Sequence, residues 1–256
     1  MPLLSGIDYD EGGAGEAVIC LHGIGGDASS FAPQIGALPM RVLSWSMPGY
    51  RRSMPGKLSF AALSETLARF MDALGLDQAH IMGQSIGGMV AMEFAARAPE
   101  RAKSLALIGT TPSFGGRDES FKEEFLKARL APLAAGMTMA EMAKGAARAV
   151  TGPDASAEVI AAVVGPMAAV PPATWCAILE CLVTFNRRDD LAVMAMPACL
   201  IAGTHDQNAP ARTMQKMAEK MPAAEYHLIA GAGHMINQEK PAEVNAILTD
   251  FYGRLT

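Results

Sequence analysis

The sequence predicts an α/β fold: a mainly parallel, doubly wound sheet carrying an inserted helical cap. Short apolar runs recur along the chain and end in glycine, serine or threonine, at 17–23, 41–46, 79–85, 103–111, 198–204 and 225–231. These runs are apolar on both faces rather than alternating, as strands of a parallel sheet covered on two sides must be. Helical patterns fall between most of them. The alternation lapses once, between Pro112 and about Leu191, where one helical pattern follows another without a convincing strand.

Each element has its own signal. "SFAALSETLARFMDALG" starts at Ser59, a good N-cap, and stops at Gly75, a good C-cap. "SIGGMVAMEFAARAPE" carries an apolar stripe and stops at Pro99. "ARTMQKMAEK" and "PAEVNAILTDFY" follow the last two strand runs. The 112–191 stretch holds four helical patterns, beginning with "DESFKEEFLKARL" at Asp118 and broken by Gly165-Pro166 and Pro171-Pro172. Strand–helix alternation implies right-handed crossovers. The expected division is a core of 1–111 and 192–256 with a cap of 112–191.

Composition narrows the function classes. The chain has 256 residues, half of them hydrophobic and 18% charged, which suits one large globular domain with a sizeable core. The net charge of -5 and the lack of any dense Lys/Arg cluster argue against a nucleic-acid partner. The start "MPLLSGIDYDEGG" has neither a basic nor a long apolar segment, and no run approaches a membrane span, so a cytoplasmic protein with no membrane partner is expected. Cys20, Cys176, Cys181 and Cys199 show no paired spacing; free thiols and no metal are expected.

The chemistry gathers around "HIMGQSIGGMVAMEF". Gly83-Gln84-Ser85-Ile86-Gly87 joins a strand run to a helical one, the context in which a G-x-S-x-G turn presents its serine above the carboxyl edge of a sheet. A serine hydroxyl needs a base, and the base an orienting acid. His234, in the glycine-flanked loop "AGAGHMINQEKP" after the last strand run, is the expected base. Asp206, after "ACLIAGT", is the expected acid; after the preceding strand run no carboxylate occurs before Asp118. The turn "LHGIGGDASSF" offers a second set of backbone donors. Ile86 N–H and Ile24 N–H, with Gly25 as substitute, are the expected oxyanion hole, and His22 is expected to brace that loop. "GIGGDA" also approximates a dinucleotide fingerprint, but the next strand run ends "LSWSM", without the acid that would hold a ribose.

Together "HGIGG", "SMPGYRRS", "GQSIGG", "AGTHDQNAP" and "GAGHMINQEKP" resemble the α/β-hydrolase superfamily in order and spacing, over nearly the whole chain. Within it the chain looks most like small bacterial esterases and lactonases, including enol-lactone hydrolases of aromatic catabolism. That resemblance implies a cofactor-free serine hydrolase acting on a small ester or lactone. One segment departs from the family pattern Asp-x-x-Gly-x-Gly-x-Ser: Ser46 replaces the aspartate and Arg51 the second glycine. Either Arg51 or Arg52 reaches the pocket mouth to attract a substrate carboxylate, or both are solvated loop residues. Met137, Met167, Trp175 and Met235 are the expected pocket walls, methionine being an adaptable apolar lining. Other readings remain: a carbon–carbon bond hydrolase of the meta-cleavage type, a cofactor-free perhydrolase, and a non-catalytic ligand-binding protein on the same fold. The oligomeric state is open, with room for a homo-oligomer.

Overall fold

The computed structural model describes residues 3–115 and 119–255. Seven strands form one sheet: β1 (Tyr9–Gly12), β2 (Ala17–Leu21), β3 (Arg41–Trp45), β4 (Ala79–Gln84), β5 (Ala102–Ile108), β6 (Ala198–Gly203) and β7 (Ala224–Ile229). Their order is β1-β3-β2-β4-β5-β6-β7, with β1 antiparallel to β3 and every other pairing parallel. The six apolar runs of the sequence are β2 to β7. β1 carries no such signal: "YDEG" is a half-buried edge strand that needs no apolar face.

Nine helices complete the described chain. α1 (Phe60–Ala73) and α2 (Ile86–Arg97) flank β4, and α3 (Glu119–Ala134), α4 (Met139–Val150), α5 (Ala157–Ala169) and α6 (Pro172–Leu182) lie between β5 and β6. α7 (Ala211–Ala218), the one-turn α8 (Ile236–Glu239) and α9 (Pro241–Gly253) follow the last two strands. Side-chain alternation splits the core between the two sheet faces. Ile19 and Leu21 pack with α1 and α2; Val18 and Cys20 pack with Phe251 and Tyr252 of α9. α1 shows why its sequence is helical: Ser59 caps it by accepting from Ala62 N–H at 3.3 Å, and Phe60, Leu63, Leu67 and Phe70 bury one stripe. Each such side chain stabilises by roughly 1.5–3 kcal/mol.

The helical segment differs from expectation at its prolines. α5 continues through Gly165-Pro166, and α3 through Pro132. The carbonyls that lose a partner belong to Ala162 and Ala128, both solvent-exposed residues, where water can satisfy them. The other expected break, at Pro171-Pro172, is where the structure breaks: α5 stops at Ala169, α6 starts at Pro172, and the two meet at 102°. Asp118 lies outside the described residues. Where the segment leaves and re-enters the sheet, Ser113 pairs with Asn186, and Arg187 grips the buried Glu93 of α2 through both carboxylate oxygens at 2.8 and 3.0 Å. Among the described residues no single helix is long and apolar enough to cross a membrane.

Candidate active site

Ser85 sits between β4 and α2 with φ +55° and ψ −124°, a strained conformation for a residue with a side chain. The surroundings enforce it. Ser85 N–H donates to Ile108 O at 3.0 Å, and Thr110 Oγ1 donates to Ser85 O at 2.7 Å. The flanking glycines are required by space: a Cβ at Gly83 would stand 2.3 Å from Gly87 O, and one at Gly87 would stand 1.9 Å from Leu21 O. The helix therefore starts directly on the strand's end, with Ile86 as its first residue.

Asp206 and His234 come from the loops after β6 and β7. The buried Asp206 carboxylate accepts from Asn208 N–H and Ala209 N–H at 2.8 and 2.9 Å through Oδ1, and from His234 Nδ1 at 2.8 Å through Oδ2. An ionised carboxylate only accepts, so Nδ1 carries the proton and Nε2 is left as the acceptor. Gly109, at φ +51°, makes room for the pair: a Cβ there would meet Asp206 Oδ2 at 3.1 Å and His234 Nδ1 at 3.4 Å. Ser85 and His234 border the same cavity, of about 370 Å³. That volume falls in the range of small-molecule sites.

The histidine loop is held from three sides. His234 N–H donates to Val150 O at 2.8 Å, and Gln84 Nε2, beside the serine, donates to His234 O at 3.0 Å. The Glu239 carboxylate accepts from Gly233 and Met235 N–H at 3.0 Å, and from Gly152 N–H at 2.6 Å. One side chain thus joins both neighbours of His234 to the end of α4. Nothing in the sequence marks Gln84 and Glu239 for these roles beyond their place inside the two motifs.

The glycine turn after β2 reaches the cavity. Ile24 lines it, whereas Ile86 is fully buried and is not among the lining residues. Among the described residues neither the Ile24 nor the Ile86 amide has a hydrogen-bond acceptor. His22 braces the turn: Met47 N–H donates to Nε2 at 2.9 Å, so Nδ1 carries the proton and donates to Gly23 O at 2.8 Å. Burial pushes the His22 imidazole down to about 4. Tyr50 donates to Ile24 O at 2.8 Å.

Of the expected wall residues, Met167, Trp175 and Met235 line the cavity, and Arg51 and Met137 do not. Arg51 turns away because β1 and the residue before it offer it charge: it pairs with Asp8 at 3.1 Å and Asp10 at 2.8 Å, and Arg52 also pairs with Asp8. The buried Asp8 lies beside Ser46, its carbonyl accepting from Ser46 N–H at 2.7 Å and its own N–H donating to Ser53 Oγ at 2.9 Å. Met137 is exposed on the turn between α3 and α4. Away from the cavity, Cys199, Glu225 and His227 bring potential ligand atoms within 4.8 Å of one another, but His227 and Arg254 already engage the Glu225 carboxylate. All four cysteines are free.

A parallel sheet with a strained serine on the β4–α2 turn, and an acid–histidine pair on the loops after β6 and β7, defines a hydrolase of the α/β fold. Residues 16–241 match the family described as alpha/beta hydrolase fold, and the chain belongs to that family. It is 30% identical, over all of its length and 99% of the relative's, to a protein of Azorhizobium caulinodans with the provisional name carbamate hydrolase RutD. It superposes on a thermophilic esterase from Thermogutta terrifontis with a TM-score of 0.88, at 23% identity, covering 97% of this chain and 93% of the other. For the enol-lactonase from Burkholderia xenovorans LB400 the TM-score is 0.85, at 23% identity and 96% coverage of both chains. At these identities the two structures bear on the fold alone.

Proposed function

We propose that the chain is a serine hydrolase that cleaves a small carboxylic ester or lactone through an acyl-enzyme. The observation that carries this reading is the 2.8 Å contact between His234 Nδ1 and Asp206, in a histidine that shares its cavity with the strained Ser85. His234 Nε2 takes the Ser85 proton as Oγ attacks the carbonyl, and the two amides at Ile24 and Ile86 receive the oxyanion. The protonated imidazole returns its proton to the leaving alkoxide. Water, deprotonated by His234, then attacks the acyl-enzyme, and the acid leaves as Ser85 recovers its proton. Asp206 holds the imidazole tautomer and stabilises its cation.

Helices α3–α6 act in this reading as a cap over 112–191, on a core of 1–111 and 192–256. Phe114, Phe125, Met167 and Trp175 make the cavity mostly apolar, which suits short to medium acyl groups. The substrate is a small molecule and the setting cytoplasmic. The test is hydrolysis of p-nitrophenyl acetate and butyrate by the wild type and Ser85→Ala, with fluorophosphonate labelling alongside. Turnover and labelling that both vanish in the variant support the reading. Near wild-type hydrolysis by Ser85→Ala would end it.

A further inference from the structure

We infer that Arg129 of α3 is an acid-recognition subsite, so that the preferred substrate is an ester or lactone whose acyl part ends in a carboxylate. The inference rests on the hydrolase reading above and names its substrate class. Among the described residues, and apart from the His234 imidazole, Arg129 is the one ionisable side chain lining this largely apolar cavity, and it is itself solvent-exposed, which places it at the cavity's outer rim. Its guanidinium carbon stands 5.4 Å from the centre of the Phe125 ring. Phe125 in turn packs edge-on against Phe114 at 4.8 Å, and both rings line the cavity. Among the described residues Arg129 has no ion pair and no hydrogen bond.

That combination points to an anion. A cation–π contact with an aromatic ring uses the charge of the guanidinium and none of its N–H donors as hydrogen bonds to acceptor oxygens. Those donors match a carboxylate in the two-pronged geometry that a single cation recognises best. The rest of the wall would reject a charged acyl tail, because an anion brought into an apolar cavity is costly unless paired. Arg129 and the reacting groups also come from different layers: the cation from the helical segment, Ser85 and His234 from the sheet edge. The helices would thus choose the acyl tail and the sheet would perform the chemistry. The arginines at 51 and 52 cannot take this role, since Asp8 and Asp10 hold them.

The test compares two esters of equal acyl length, mono-p-nitrophenyl glutarate and p-nitrophenyl valerate, on the wild type, Arg129→Gln and Arg129→Lys. The expected result is a wild-type preference for the glutarate ester. Arg129→Gln should cut kcat/KM for that ester at least about tenfold, as for a lost charged hydrogen bond, while changing the valerate ester less than about twofold. Arg129→Lys should recover part of the loss. Equal effects on both esters, or none on either, would overturn the inference. Calorimetric binding of glutarate itself separates the two readings. Glutarate that binds the wild type and not Arg129→Gln supports the subsite even if Ser85→Ala shows that the ester chemistry is wrong. Glutarate binding both equally overturns the subsite with the hydrolase reading intact.

Discussion

Asp206 Oδ2 and His234 Nδ1 lie 2.8 Å apart, joined across the ends of neighbouring strands. The other carboxylate oxygen is occupied by two backbone N–H groups. The pair is therefore directional: the carboxylate cannot rotate to another partner without losing both of those bonds.

Asp206→Asn keeps the shape of this side chain but can present its amide nitrogen to His234, favouring the wrong tautomer. On the proposed hydrolase reading we expect kcat for a p-nitrophenyl ester to fall by about 10^4, with KM little changed, as is general for acid–histidine–serine hydrolases. Steady-state kinetics measures this directly, and a drop of less than about tenfold would leave Asp206 with only a structural part.

Gly109→Ala tests the space around the pair. A methyl group there meets Asp206 Oδ2 at 3.1 Å and demands φ +51° of a residue with a side chain. The backbone conformation alone should cost roughly 1 kcal/mol. The expected outcome is a loss of kcat well beyond the loss of stability, read by kinetics and urea unfolding on the same preparation.

Glu239 holds Gly233, Met235 and Gly152 through one carboxylate. Glu239→Gln replaces one acceptor oxygen by a donor that faces amide N–H groups, and an unsatisfied group there costs about 1–3 kcal/mol. We expect reduced kcat and a helical segment more open to amide exchange around Gly152, while Glu239→Asp, which keeps the charge, recovers part of the activity. Hydrogen exchange unchanged at Gly152 and Gly233 would refute the tie.

His22 sets a pH dependence of stability. Its folded pKa lies below the unfolded value because the ring is buried and must stay neutral, so the unfolded chain binds the proton first. Stability from this group is complete above about 6.5, is lost as pH falls from 6.5 to about 4, and is constant below that. The loss amounts to about 3 kcal/mol. Urea unfolding at pH 7, 5.5 and 4.5 reads the slope. An imidazole signal of His22 that titrates near 6.5 in the folded protein would refute the assignment.

By itself the sequence determined the parallel sheet, because runs apolar on both faces have no other stable home, and it determined where the serine turn falls, because only glycine fits beside Ser85. It also carried the positions of Asp206 and His234, each at the end of a strand run. It did not reveal β1, whose edge position frees it from an apolar pattern, nor the helices that continue past Pro132 and Pro166, which depend on exposed carbonyls. Only the tertiary structure decided where the charges go. Arg51 reads either as a pocket-mouth cation or as a solvated loop residue until the fold brings Asp8 and Asp10 beside it. Gln84 and Glu239 gain their partners in the same way, from groups that are 150 and 87 residues distant along the chain. Local spacing records backbone geometry, whereas the partner of a charge is set by whatever the fold brings to it.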